Sequence, residues 1–73
     1  MGKLGVFSGV EVCKILAAHG FSEVRRRGSH IIMQLKLAET TRTVPVPDHA
    51  ELKQGTLLSI IRQAGLERIM FEK

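Results

Sequence analysis

The sequence predicts an α+β fold with the chain order α-β-β-β-α, in which three antiparallel strands follow the first helix and precede the second. Apolar residues recur at three- and four-residue steps near both ends of the chain and at two-residue steps in its middle, which are the periods of helices and strands. Gly-containing breaks separate these segments. Two amphipathic helices need one apolar sheet face to cover, so we expect both helices on the same face of a three-stranded antiparallel sheet, with the other face open.

Length, composition and charge limit the class of protein. A chain of 73 residues has room for one domain, which we expect to span residues 1–73. Its apolar residues never form a run of about 18 that would cross a bilayer, and no secretory signal is recognisable. We therefore expect a cytoplasmic protein without a membrane partner. The formal net charge of +4 favours a polyanionic partner.

The first helix is predicted from about Gly9 to His19. Ser8 and Glu11 have the spacing of a reciprocal capping box, in which each side chain accepts a hydrogen bond from the other residue's backbone N–H. Gly20 supplies a left-handed end after the helix. The apolar face is predicted to consist of Val10, Cys13, Leu16 and Ala17. The single cysteine is then expected to be a buried thiol rather than a reactive one.

Two strands joined by a tight turn are predicted next. Apolar residues alternate with other residues here, as a strand with one buried face requires, and the apolar set is Ile31, Met33, Leu35 and Leu37. His30 therefore points away from the face that carries Ile31. Gly28 and Ser29 form the turn that joins this strand to a shorter one, from about Glu23 to Arg27.

The C-terminal half is predicted to supply an edge strand, a helix and an apolar tail. Pro45 interrupts the third strand and cannot donate to a ladder, so this strand should lie at an edge. The second helix is predicted from about Thr56 to Ala64, with Thr56 as its cap and Gly65 as its end. Its predicted apolar face is Leu57, Leu58, Ile61 and Ala64. The tail residues Ile69, Met70 and Phe71 form either a last helical turn against the core or an apolar patch for a partner.

Motifs for metal binding, covalent catalysis and nucleotide binding are absent from the sequence. His19, His30 and His49 lie in different predicted elements, and no C-x-x-C or H-x-x-x-H spacing occurs. No acid stands at a diagnostic spacing from Ser29 or His30 for nucleophilic catalysis. Neither G-x-G-x-x-G nor a P-loop is present. We therefore expect neither a metal site nor a cofactor.

A histidine next to a basic hairpin is the candidate site. The cluster comprises Arg25, Arg26, Arg27, Gly28, Ser29 and His30, with Lys36 further along the strand. An imidazole exchanges protons near neutral pH, so His30 can accept a proton from an RNA 2′-hydroxyl or donate one to a leaving oxygen. Arginines offset the charge that grows on the phosphate, and a glycine lets the RNA backbone approach closely. The residues alone support nucleic-acid binding and permit catalysis.

Four short motifs follow one another along the chain. They are a helix ending in Gly20-Phe21, an R-x-x-G-S-H box from Arg25 to His30, a V-P-x-H element from Val46 to His49, and G-T-L from Gly55 to Leu57. Each motif alone is weak, but the combination resembles the HicA-type toxins of bacterial type II toxin–antitoxin systems, also described as YcfA-like mRNA interferases. The resemblance runs from about Ser8 to Leu66.

The resemblance implies a fold, an activity and partners. The implied fold is similar to the double-stranded-RNA-binding domain, and the implied activity is sequence-relaxed, ribosome-independent endoribonuclease cleavage of mRNA with His30 as the catalytic residue. Together with the basic hairpin, it leads us to expect a metal-independent reaction. The expected RNA-binding residues are Arg25, Arg26, Arg27, Gly28, Ser29 and Lys36. The resemblance also implies a HicB-type antitoxin that covers the active face. Promoter DNA is expected to be contacted only through the complex with that antitoxin.

Two questions stay open at this point, the role of His49 and the function of the whole protein. His49 is either a second acid–base group near His30 or, as we favour, a residue that organises the loop before the last helix through a backbone hydrogen bond. The whole protein is either a nuclease or a non-catalytic RNA-binding module, since double-stranded RNA is usually bound by shape without chemistry. A small protein-interaction domain with no RNA contact is the third alternative, and its binding should be insensitive to salt.

Overall fold

The computed structural model describes residues 3–72 and has the predicted order of elements. The elements are α1 (Gly9–Ala18), β1 (Ser22–Arg27), β2 (His30–Lys36), β3 (Thr41–Pro47), α2 (Gln54–Ala64) and a C-terminal 3₁₀ helix (Arg68–Phe71). The three strands form one antiparallel sheet in the order β1-β2-β3. This arrangement confirms the predicted α+β fold, which is similar to that of the double-stranded-RNA-binding domain.

The core lies between one face of the sheet and both helices. The strand residues in this core are Ile31, Met33, Val44 and Val46, and the helices contribute Val12, Leu16, Leu57, Ile60, Ile61 and Ala64. All four strand residues lie on the same sheet face, because opposite partners in the register are Ile31 with Val46 and Met33 with Val44. Both helices therefore pack on one side, as predicted.

The start of α1 agrees with its predicted cap, but the apolar face differs. Ser8 Oγ accepts from the backbone N–H of Glu11 at 3.1 Å, and Glu11 Oε1 accepts from that of Ser8 at 2.9 Å. The buried residues are Gly9, Val12 and Leu16. Val10 is 45% exposed, Ala17 is exposed and Cys13 is half-buried. The predicted face was therefore wrong at Val10 and Ala17, because the helix turns Gly9 towards the end of β3.

The second helix begins two residues earlier than predicted. It starts at Gln54, and the flanking residue Lys53 makes no side-chain capping bond, so the prediction of Thr56 as the cap was wrong. Gly65 ends the helix in the left-handed conformation with φ of 70°. Leu58 is 40% exposed, and the observed buried face is Leu57, Ile60, Ile61 and Ala64.

The sequence left open whether the C-terminal tail packs against the core or forms an exposed apolar patch, and its residues differ in this respect. Phe71 is fully buried and meets Phe7 edge-on, with ring centroids 6.0 Å apart. Ile69 and Met70 are exposed. The chain termini pair through a bridge between Leu4 and Glu72, so the tail closes the core with one aromatic side chain. No helix within residues 3–72 has the length and apolarity needed to cross a bilayer.

Candidate active site and nucleic-acid interface

A two-residue turn places His30 at the start of β2. Gly28 has φ of 58°, and no other residue of this turn has a positive φ, which is the pattern of a type II′ hairpin turn. In the register that follows, His30 lies opposite Arg27 on β1 and Pro47 on β3. His30 is exposed, whereas its neighbour Ile31 lies in the core. The prediction that His30 belongs to the open sheet face is therefore confirmed.

The open face contains a concavity of about 590 Å³ around His30. Its lining residues are Arg25, Arg27, His30, Ile32, Thr43 and Pro45. Ile32 is only 7% exposed but does not belong to the core between sheet and helices. It forms an apolar floor, whereas the arginines, the histidine and Thr43 supply polar groups at the surface. Cavities of this size are large enough for a small ligand or a nucleotide-sized part of a larger one.

The three consecutive arginines face alternate sides of the sheet, because successive side chains along a strand point in opposite directions. Arg25 and Arg27 line the concavity, and neither forms an ion pair within residues 3–72. Arg26 faces the other side, opposite Ile31. Its Nη1 lies 2.9 Å from Asp48 Oδ2 and its Nε 3.6 Å from Glu23 Oε2. The hydrogen bond to Asp48 raises the pKa of Arg26 above its ordinary value. The predicted separation of the three side chains is confirmed.

The end of β3 fixes the hairpin that carries His30. The backbone N–H of Asp48 donates to the carbonyl oxygen of Ser29 at 2.7 Å, inside the turn itself. The next carbonyl, that of His49, accepts from the N–H of Gly9 at 2.9 Å. This loop therefore joins the start of α1 to the turn before His30. The contact of His49 is made by its backbone, and its exposed side chain is not part of the lining of the concavity.

Lys36 lies on the open face but far from His30. It is the last residue of β2, six positions after His30, which corresponds to about 20 Å along an extended strand. Lys36 lines a second concavity of about 400 Å³ together with Gly20, Ser22, Val24, Gln34 and Leu35. The structure thus brings Arg25 and Arg27 to His30 but leaves Lys36 at the opposite end of the sheet.

The charged side chains that the strands place on the open face are all positive. Glu23 is the one carboxylate among the strand residues, all of which are described, and it lies opposite Met33 on the helix side. Arg42 also faces the helices, where its Nη1 donates to the carbonyl oxygen of Gln63 near the end of α2 at 3.2 Å. The open face keeps Arg25, Arg27 and Lys36, and it carries no carboxylate that competes for an anionic ligand.

A reactive thiol and a metal centre are two further kinds of chemistry to consider. Cys13 lies on the helix side, in a groove beside Phe21 and Met33. Burial, and secondarily the charge of Glu23, raise the pKa of its thiol, so the reactive thiolate is less populated. Among residues 3–72, no group of three His, Cys, Asp or Glu side chains is arranged to hold a metal ion.

Sequence reasoning missed part of this site. It identified His30 and the arginines, but not the contribution of Ile32, Thr43 and Pro45 to the concavity. The signal was present for Ile32, because an alternating strand puts residues 30 and 32 on the same face. An apolar residue on an otherwise polar, open face therefore marks a local floor. Thr43 and Pro45 belong to β3, and only the strand register brings them to this place.

Comparison with known protein families gives a match over most of the chain. A sequence family described as the HicA toxin of bacterial toxin–antitoxin systems matches residues 9–66. The matched region begins with α1, contains the whole sheet and the concavity around His30, and ends just after α2. No curated protein is significantly similar to the chain.

Proposed function

Because the chain belongs to the HicA toxin family of bacterial toxin–antitoxin systems, we propose that it is an endoribonuclease that cleaves mRNA with His30 as its catalytic residue. The observation that carries this proposal is the position of His30. It is exposed on the open sheet face, directly opposite Arg27, and lines the same concavity as Arg25 and Arg27. A histidine placed for core packing would lie on the opposite face of β2.

The proposed reaction needs one acid–base group and positive charge. His30 accepts the proton of an RNA 2′-hydroxyl while water protonates the departing 5′-oxygen, or His30 donates a proton to the 5′-oxygen while water accepts the one from the 2′-hydroxyl. The 2′-oxygen forms a bond to phosphorus as the bond from phosphorus to the 5′-oxygen breaks. The products are a 2′,3′-cyclic phosphate and a 5′-hydroxyl. Arg25 and Arg27 donate to the non-bridging oxygens, whose negative charge grows in the transition state. This chemistry is metal-independent.

The antitoxin is proposed to act on the same face. Membership of the family implies an antitoxin partner. A HicB-type antitoxin that covers the concavity would exclude mRNA from His30, and carboxylates on its surface would complement Arg25, Arg27 and Lys36. Promoter DNA would then be bound by the antitoxin part of the complex.

A non-catalytic RNA-binding module is the second candidate function. His30 is the one histidine among the residues that line the concavity, and no Asp, Glu, Cys or Lys is part of that lining. A fold of this class also binds RNA by shape and phosphate contacts alone. Both candidates share the cationic face, so RNA affinity does not separate them, whereas the chemical state of the RNA does.

The deciding experiment follows the fate of RNA. The purified chain is incubated with a 5′-labelled single-stranded RNA in the presence of EDTA, and the products are resolved with markers for cyclic-phosphate ends. We expect fragments ending in 2′,3′-cyclic phosphate, and induced expression in a bacterial host should arrest growth as bulk mRNA is degraded. RNA that is bound but stays intact would favour the binding module instead.

Neutralising the two arginines of the concavity is expected to weaken RNA binding strongly. A plot of the logarithm of the binding constant against the logarithm of the salt concentration has a negative slope. For Arg25→Gln/Arg27→Gln, the magnitude of this slope should decrease by about 1.4 for single-stranded RNA, because two phosphate contacts are lost. Arg62→Gln/Arg68→Gln removes the same charge from α2 and the 3₁₀ helix and should leave this slope nearly unchanged. Equal effects of the two double variants would show that net charge, not the concavity, binds RNA.

A further inference from the structure

The second concavity shares the open sheet face with the first. His30 is one of the residues that line the first concavity, and Ser22, Gln34 and Lys36 line the second from the open face. Leu35, which packs against the core, and Gly20 complete the lining of the second. Residues 30, 32, 34 and 36 alternate along β2 with residues that face the helices, so they form one row on the open face. The row begins at the proposed catalytic histidine and ends at a lysine.

Lys36 is too far from His30 to contact the scissile phosphate. About 20 Å lie between His30 and Lys36 along the strand, which is far beyond the reach of one side chain. A single strand of nucleic acid advances about 3.4 Å per nucleotide when stacked, and more when extended. A phosphate at Lys36 therefore belongs to a nucleotide about four to six positions from the one at His30.

The groups around Lys36 are suited to bind RNA without reading its sequence. Lys36 is exposed and forms no ion pair with any residue from 3 to 72. Ser22 and Gln34 are opposite partners across β1 and β2 and offer a hydroxyl and an amide, of which Gln34 Nε2 also donates to Thr43 Oγ1 at 3.3 Å. Val24 is the extra residue at the irregularity between Glu23 and Arg25, and 45% of it is exposed, which supplies an apolar contact.

The chain offers no aromatic platform to stack bases on its surface. It has no Trp and no Tyr, and its three phenylalanines, Phe7, Phe21 and Phe71, are all buried. Proteins that bind single strands commonly combine a cationic groove with aromatic stacking. Here the affinity must come from phosphate contacts spread along the face, which makes the length of the RNA important.

We propose that the concavity at Lys36 is a second RNA-binding site, which holds a phosphate of the same single strand several nucleotides away from the scissile bond at His30. This inference rests on the proposed function. RNA that spans both concavities binds more tightly than RNA that reaches only one. Lys36 acts in binding and takes no part in the chemical step.

The test compares RNA length with and without the lysine charge. Nested single-stranded RNAs of two and sixteen nucleotides are centred on one cleavage position mapped in a longer RNA, so that the longer of the two reaches Lys36 in either direction. For Lys36→Gln we expect kcat/KM on the sixteen-nucleotide RNA to fall about five- to ten-fold through KM, as one charge-assisted hydrogen bond is lost. Cleavage of the dinucleotide should be unchanged. The salt slope of binding should fall by about 0.7 for the longer RNA alone.

A matched variant separates position from net charge. Lys14→Gln removes one positive charge from α1, on the opposite side of the sheet, and should leave kcat/KM unchanged for both RNAs. The inference is overturned if Lys14→Gln lowers kcat/KM as Lys36→Gln does. It is also overturned if Lys36→Gln lowers kcat/KM equally for the short and the long RNA, or for neither. Intact RNA in every reaction would overturn the proposed nuclease activity instead, and direct binding of the two RNAs would still decide whether Lys36 contacts the longer one.

Discussion

Replacing His30 by alanine is expected to lower the rate of RNA cleavage by about 100- to 10,000-fold, the usual contribution of a positioned general acid or base. Induced expression of His30→Ala should neither arrest growth nor degrade mRNA. The variant should still fold, because the His30 side chain is exposed and makes no hydrogen bond with another residue from 3 to 72. RNA affinity should fall much less than the rate, because Arg25 and Arg27 stay in place.

Two companion variants sharpen this result. His30→Gln keeps a polar side chain of similar length but cannot exchange a proton near neutral pH, so it should be as inactive as His30→Ala. His49→Ala should keep most of the activity, because that side chain does not line the concavity. Cleavage by His30→Ala at the wild-type rate would remove His30 from the mechanism, and a comparable loss in His49→Ala would give His49 a part in the chemistry.

Gly9→Ala should cause the largest loss of stability among conservative substitutions. A Cβ at residue 9 would overlap the carbonyl oxygen of Pro47 and lie 3.0 Å from its carbonyl carbon. These are backbone atoms of β3 and cannot rotate away. We expect a cost of about 2–3 kcal/mol, typical of overpacking. For a domain of this size, that cost lowers Tm by about 10–20 °C, which thermal unfolding followed by circular dichroism measures.

Gly55→Ala is the matched control for Gly9→Ala. Gly55 lies in the first turn of α2, and a Cβ there would meet no atom within 4 Å. Alanine has the higher helix propensity, so the free energy of unfolding should stay unchanged or rise by up to about 1 kcal/mol. An unchanged Tm for Gly9→Ala would mean that α1 and the end of β3 separate at little cost. The hairpin carrying His30 would then be held less firmly than the contacts at Asp48 and His49 indicate.

Local patterns predicted most of the elements because they depend on interactions within a few residues. The capping box of α1 requires Ser8 and Glu11 at one spacing, and Gly65 ends α2 by a conformation that other residues rarely adopt. Helix faces were predicted less well. Val10 and Leu58 fit the helical period but are exposed, because the rotation of a helix is decided by what it packs against.

The sequence by itself determined that His30 would stand on the open face, with Arg25 and Arg27 on one side of β1 and Arg26 on the other. A strand alternates with a period of two whatever surrounds it. The tertiary structure decided which groups meet. It paired Arg26 with Asp48, placed Thr43 and Pro45 in the concavity that His30 also lines, and left Lys36 at the far end of the sheet. Strand register and the docking of α1 on β3 set these contacts, and both depend on residues far apart in the chain.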